Sequence, residues 1–224
     1  MKALAIDSAA SCISFAAVNE KKSVVLSLDI GMHQSENLVP GIQKVMQKVA
    51  LSPKDLDFIC LDLGPGSFTG LRLAFSALKA FQVSFNIPLY AIPTLEAYAY
   101  PWSFFQGAVL SVLDAKKQRF YAQVFRNGQS CTDMYDADAE TIVTLLDTEE
   151  NVLICGPDAQ MFEEQAKSIR PTQNFTRIKG ISTSPIYTLL DIARQKFNNK
   201  ESGLLEYEGP LYIRKSDAEL SLKK

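Results

Sequence analysis

At 224 residues, with 47% hydrophobic and 21% charged residues, the chain has the composition of a folded globular protein of one large or two small domains. Its formal charge of −2 excludes a general electrostatic pull toward nucleic acid, so RNA contact would need a local patch or a basic partner. The four cysteines (Cys12, Cys60, Cys131, Cys155) form no C-x-x-C pair, and Cys60 and Cys155 sit in apolar strand-like runs, which argues against zinc and for a reducing compartment.

The first thirty residues read as a meander: a short apolar strand Lys2–Asp7, a small-residue turn Ser8–Ser11, then strands Cys12–Asn19 and Ser23–Asp29 around the polar turn Glu20-Lys21-Lys22. A helix is predicted from about Gln34 to Ala50, with Leu38, Val39, Ile42, Val45, Met46 and Val49 on its apolar side and Pro40 in its early turns. The continuous apolar run Phe58–Leu63 fits a strand covered on both faces. After the turn Gly64-Pro65-Gly66-Ser67-Phe68-Thr69-Gly70 a second helix runs from about Thr69 to Phe85, apolar on almost every side, and Leu89–Ile92 is another strand.

The pattern then restarts. Ala108–Leu113 is an apolar strand ending in Asp114, as Ala3–Ile6 ended in Asp7. Strands at Arg119–Arg126 and near Ser130–Tyr135, a helix from about Ala139 to Leu146 and the strand Val152–Cys155 follow, the last running into Gly156-Pro157-Asp158 as Leu61–Leu63 ran into Gly64-Pro65-Gly66. Helices near Asp158–Ser168 and Pro185–Asn198 complete a shortened second half. The reading is an α/β chain built from a duplicated β-β-β-α-β-α unit, divided into residues 1–102 and 103–224 around Tyr100–Gln106. The last segment, about 203–224 and including Pro210-Leu211-Tyr212-Ile213-Arg214, is expected to pack back on the first half. Asp7 interrupts the apolar start, which speaks against a signal peptide, and no run reaches the roughly 18 apolar residues of a membrane span. A cytoplasmic chain without membrane contact is expected.

A duplicated unit of this kind, with its first strand ending in Asp, resembles the actin, Hsp70 and sugar-kinase (ASKHA) superfamily. Within it, ALAIDSAASCISFAAV at the start, the His33–Pro40 run HQSENLVP, Gly64–Arg72 as GPGSFTGLR, Leu113-Asp114-Ala115-Lys116 with Phe120-Tyr121, and Tyr212-Ile213-Arg214 resemble the TsaB (YeaZ) family over nearly the whole chain. That resemblance implies a partner of the TsaD transferase in forming threonylcarbamoyladenosine beside the anticodon of ANN-reading tRNAs. It also implies the small ATPase TsaE as a further partner and tRNA met through the complex. It implies no cofactor of the chain's own, with a nucleotide shared at the junction with TsaD left open.

The residues give three chemical possibilities to weigh against it. The transferase relative holds its metal with two histidines four apart on a helix; here the matching pair is His33 and Asn37, an amide is a poor substitute for an imidazole, and the chain has no second histidine, so no metal site is expected. A serine peptidase would need Ser67 as nucleophile, His33 as base and Asp7 or Asp62 as orienter, a geometry that sequence leaves open, although serines in Gly-Ser turns are mostly caps. A small ATP-dependent phosphotransferase would bind nucleotide or anion through Asp7, Gly64, Gly66, Ser67, Thr69 and Gly70, against the alternative that these glycines serve a tight turn and close helix approach. No catalytic residue is therefore assigned.

The expected working surface is apolar. Leu38, Ile42, Val45 and Met46 of the first helix and Leu71, Arg72, Phe75 and Leu78 of the second are the candidate docking residues, for a homodimer or for TsaD, over an interface of roughly 1,600 Å². The alternative is a helix sandwiched inside its own domain. Lys116, Lys117, Arg119 and Arg126 form the best basic cluster for RNA, against a solvated hairpin.

Overall fold

The computed structural model describes residues 1–31, 33–177 and 184–214. It divides into two compact units, residues 1–97 with 184–211 and residues 98–183 with 212–224.

The first unit is built on a five-stranded sheet in the order β3-β2-β1-β4-β5, from β1 (Lys2–Asp7), β2 (Cys12–Asn19), β3 (Lys22–Asp29), β4 (Phe58–Gly64) and β5 (Leu89–Pro93). β1 pairs antiparallel with β2 and parallel with β4. Alternation sends Leu4, Ile6, Ile59 and Leu61 to the face covered by α1 (Gln34–Lys48) and α2 (Phe68–Phe85). Ala3, Ala5, Phe58 and Cys60 go to the other face, where Ile186, Leu189, Leu190 and Ala193 of α6 (Ile186–Asn198) cover them. That is why Phe58–Leu63 reads as unbroken apolar sequence. The short α3 (Thr94–Ala99), which periodicity missed, follows β5.

The second unit repeats the plan. Its sheet runs β11-β10-β6-β7-β8, from β6 (Ala108–Lys116), β7 (Arg119–Arg126), β8 (Gln129–Ser130), β10 (Val152–Cys155) and β11 (Phe175–Arg177), with β9 (Tyr135–Ala137) also on β7. The antiparallel β6–β7 and parallel β6–β10 pairs match β1–β2 and β1–β4. α4 (Ala139–Val143) and α5 (Ala159–Ile169) cover one face, with the Phe120 and Phe162 rings edge-on at 5.2 Å.

Three expectations need correcting. The helix at 186–198 belongs to the first unit, so the units are not the continuous halves 1–102 and 103–224. The strand expected near Ser130–Tyr135 is two short pieces, because the Thr132 hydroxyl takes the Val124 N–H at 3.1 Å and displaces the strand ladder there. The helix expected to reach Leu146 stops at Val143, where the Thr144 hydroxyl donates back to the Thr141 carbonyl. In the closing segment, Leu204 and Leu211 donate backbone hydrogen bonds to Leu89 and Leu63 of the first unit, whereas Arg214 donates to Ala115 of the second. Residues 215–224 lie outside the described residues.

Candidate functional site

The C-terminal ends of β1 and β4 lie side by side, and there the chain turns back twice. Parallel pairing of Ile6 with Leu61 sets Asp7 and Asp62 next to each other in the interior, each 1% exposed. Asp62 Oδ2 accepts the Ser8 N–H at 2.9 Å, and Asp7 Oδ1 accepts the Ala9 N–H at 3.3 Å. Ser184, far along the chain, donates its hydroxyl to Asp7 Oδ2. Burial pushes both carboxyls above their ordinary value, and the neighbouring Asp7 carboxylate pushes Asp62 further. The pair therefore retains a proton to higher pH than a free aspartate. Among the described residues the buried Asp62 Oδ1 has no hydrogen-bond partner.

The glycine turn packs directly on this pair. Ser67 N–H donates to the Ala9 carbonyl at 2.7 Å, and the Ser8 hydroxyl donates to the Gly70 carbonyl at 3.0 Å. A Cβ on Gly66 would meet the Ala9 carbonyl oxygen at 2.7 Å, and one on Gly70 the Ser8 carbonyl oxygen at 2.1 Å. Both glycines thus allow α2 to start against the β1–β2 turn. Gly64 stands at φ +109° before a cis peptide to Pro65. Of the expected anion contacts, Asp7, Gly66 and Gly70 are taken up by this packing, and Gly64 lies against the Leu211 backbone. Ser67 caps α2, its hydroxyl accepting the Gly70 N–H at 3.3 Å, and Thr69 is exposed.

The second unit carries a related construction. Gly156 repeats Gly64 with φ +107°, but the carboxylate that accepts a β6 backbone N–H, Asp158 Oδ2 from Asp114 at 2.7 Å, stands two residues after the glycine, where Asp62 stands two before it. Asp114 itself faces Lys116, with Nζ 2.7 Å from Oδ2.

His33 and Asn37 are not turned toward the carboxyl pair. The His33 side chain is 74% exposed with Nδ1 3.5 Å from Glu36 Oε1, and Asn37 Nδ2 donates to the His33 carbonyl at 3.0 Å. The four members of the peptidase arrangement thus each have a different local partner. Gln34, Ser8 and Ser184 are the site residues that sequence reasoning missed. Gln34 Nε2 donates to the Ala10 carbonyl at 2.8 Å and so ties the start of α1 to the same turn. Only Ser184-Pro185 before a helix carried a sequence signal, and that signal spoke of the helix start alone.

The docking residues require a correction. Leu38, Ile42, Val45, Met46, Leu71, Phe75 and Leu78 are all buried in the core of the first unit, because the stripe with regular 3–4 spacing is the one that faces the sheet. Only Arg72 of that set is exposed, its guanidinium 3.8 Å from the Phe68 ring centroid. The outward apolar positions of α1 and α2 are Val39 (57% exposed), Val83 (61%) and Phe85, with Leu73 and Phe81 half-buried. In the basic cluster, Arg119 pairs with Asp136 and Arg126 with Glu150, each at 2.7 Å, so acidic neighbours offset much of its charge. No group of three or more metal-ligating side chains occurs among the described residues, and no described helix is long and apolar enough to cross a membrane.

Residues 29–208 match the model of the TsaD family, tRNA N6-adenosine threonylcarbamoyltransferase. The tRNA threonylcarbamoyladenosine biosynthesis protein TsaB of Bacillus subtilis is 24% identical over 98% of this chain and 96% of its own length. Its namesake from Buchnera aphidicola of Schizaphis graminum is 29% identical over 55% of this chain and 60% of its own length. Among solved structures, YeaZ from Pseudomonas aeruginosa superposes with a TM-score of 0.78 at 19% identity, covering 95% of this chain and 99% of that one. That last likeness speaks for the duplicated fold.

Proposed function

The chain belongs to the threonylcarbamoyltransferase-like family and, within it, to the TsaB (YeaZ) family, and from that premise we propose that it is a non-catalytic partner of TsaD in making threonylcarbamoyladenosine in ANN-reading tRNAs. A role in threonylcarbamoyladenosine synthesis follows from the names of its relatives. The partner role rests on one observation about this chain: the groups best suited to chemistry are engaged in holding the fold. Asp7 and Asp62 are sealed beneath the glycine turn, Ser67 caps α2, and Asn37 folds back on the α1 backbone.

In this reading the chain acts by binding one conformation of TsaD more tightly than others, which shifts the transferase toward it. The surface offered is the outward side of α1 and α2, around Val39, Arg72 and Val83, in place of the buried stripe. TsaE and tRNA join through the assembled complex, and any nucleotide is shared at its junctions.

The test is co-purification of TsaD with this chain and its variants. Val39→Glu and Val83→Glu change exposed positions, so they should keep their thermal melts and lose TsaD. Undiminished binding by both would remove this face from the account. An ATPase rate in the isolated chain equal to that of the complex would favour the phosphotransferase reading instead.

A further inference from the structure

The five-stranded sheet of the first unit ends at β3, and among the described residues no strand pairs with its outer edge. Exposed edges are usually blunted by a proline, a bulge or a charge in mid-strand. β3 has none of these. It pairs with β2 in unbroken register from Lys22 opposite Asn19 to Asp29 opposite Cys12, and the interior Ser23-Val24-Val25-Leu26-Ser27-Leu28 is uncharged.

The backbone direction of that edge follows from its turn. A two-residue turn at Glu20-Lys21 closes on a hydrogen-bonded pair, Asn19 with Lys22, so Lys22, Val24, Leu26 and Leu28 bond inward to β2. The N–H and C=O groups of Ser23, Val25, Ser27 and Asp29 therefore point outward. On the side facing α1, Val24, Leu26 and Leu28 are only partly buried, and on the opposite side so is Val25.

We propose that β3 is a self-pairing edge, along which two copies of the chain join antiparallel, Val25 opposite Val25, to continue the sheet through a two-fold axis. An axis normal to the sheet keeps every residue on its own face, so the centre must be a single residue paired with itself, in a hydrogen-bonded pair if its backbone groups point outward and in a non-hydrogen-bonded pair if they point inward. Val25, with its backbone groups outward, makes a hydrogen-bonded centre. Ser23 then faces Ser27 of the second copy, Val24 faces Leu26, and Lys21 comes opposite Asp29. Charge selects both the occupant and the register: the exposed Lys21-Lys22 end of one copy meets the exposed Asp29 of the other, and symmetry does this twice. Centring on Ser27 would instead set Val25 against Asp29 and leave the lysines beyond the seam. This pairing is independent of the partner role proposed above and leaves the outward side of α1 and α2 uncovered.

Sedimentation velocity of the full chain over a range of concentrations tests it. The wild type should dimerise. Val25→Pro removes an outward N–H without touching a bond to β2, a position where an edge strand tolerates proline, and should weaken the dimer at least about tenfold. Asp29→Lys should weaken it similarly, and adding Lys21→Asp and Lys22→Asp to Asp29→Lys should restore it. That rescue keeps the test decisive even if the proline variant folds poorly. A wild type monomeric at every concentration overturns the proposal, as does a dimer indifferent to Asp29→Lys or lost only on Val39→Glu. Occupation of the edge by co-expressed TsaD, seen as a complex lost on Val25→Pro while no homodimer forms, overturns it as well.

Discussion

Replacing Gly70 by alanine probes the contact on which the site depends. The added Cβ would lie 2.1 Å from the Ser8 carbonyl oxygen, 2.8 Å from Gln34 Oε1 and 3.3 Å from Ser67 Cβ. Gln34 can give way, but the Ser8 carbonyl is backbone, and the Ser8 N–H is held by Asp62. Relief thus requires α2 to back away from the β1–β2 turn. Overpacking of this kind costs about 1–3 kcal/mol, and stretching the bond from the Ser8 hydroxyl to the Gly70 carbonyl adds about 1 kcal/mol. Alanine's better helix propensity returns about 1 kcal/mol. The expected net effect is a destabilisation of about 1–3 kcal/mol, read from urea unfolding followed by far-UV circular dichroism. Gly209→Ala, where nothing lies within 4 Å of the new Cβ, should stay within about 0.5 kcal/mol of wild type. A Gly70→Ala protein as stable as wild type would refute the reading of the turn as a close-packed element.

The corrected helix faces give a paired expectation. Leu78→Ala empties a fully buried position and should cost about 2–5 kcal/mol, while Val83→Ala, at a position 61% exposed, should change stability by less than about 0.5 kcal/mol; equal effects in urea titrations would contradict the assignment. The buried carboxyl pair makes stability depend on pH in a defined sense. Both folded-state values lie above the ordinary 3.8, so the pair's contribution is fullest below that value and declines as pH rises through the folded values. Asp62→Asn keeps an acceptor for Ser8 and a donor toward Asp7 without needing a proton. It should therefore raise stability near neutral pH and flatten the slope above pH 3.8 relative to wild type; a variant less stable than wild type at neutral pH would show that the pair is not proton-sharing.

The fold was legible because the duplication wrote its landmarks twice. Asp7 ends β1 and Asp114 stands two residues before the end of β6, while Gly64 closes β4 and Gly156 follows β10, with φ +109° and +107°. What stayed hidden is non-local. The helix at 186–198 follows the second unit in the chain yet covers the first unit's sheet, and chain order alone offers no sign of that. The bond from Ser184 to Asp7 spans 177 residues. On α2, apolar residues lie on nearly every side, so periodicity showed two stripes without telling which met the sheet. The buried one, through Leu71, Phe75 and Leu78, had the more regular spacing because it is the one packed against strands.

The central claim is that the chain supports threonylcarbamoyladenosine synthesis without supplying a reacting group. Mass spectrometry of nucleosides from digested tRNA, in cells with and without the gene, tests it most directly. Deletion should abolish or sharply lower threonylcarbamoyladenosine, and both the wild-type chain and a His33→Ala, Ser67→Ala double variant should restore it. Unchanged levels after deletion would contradict a role in the pathway, and restoration by the wild type but not by a folded double variant would place chemistry in the chain itself.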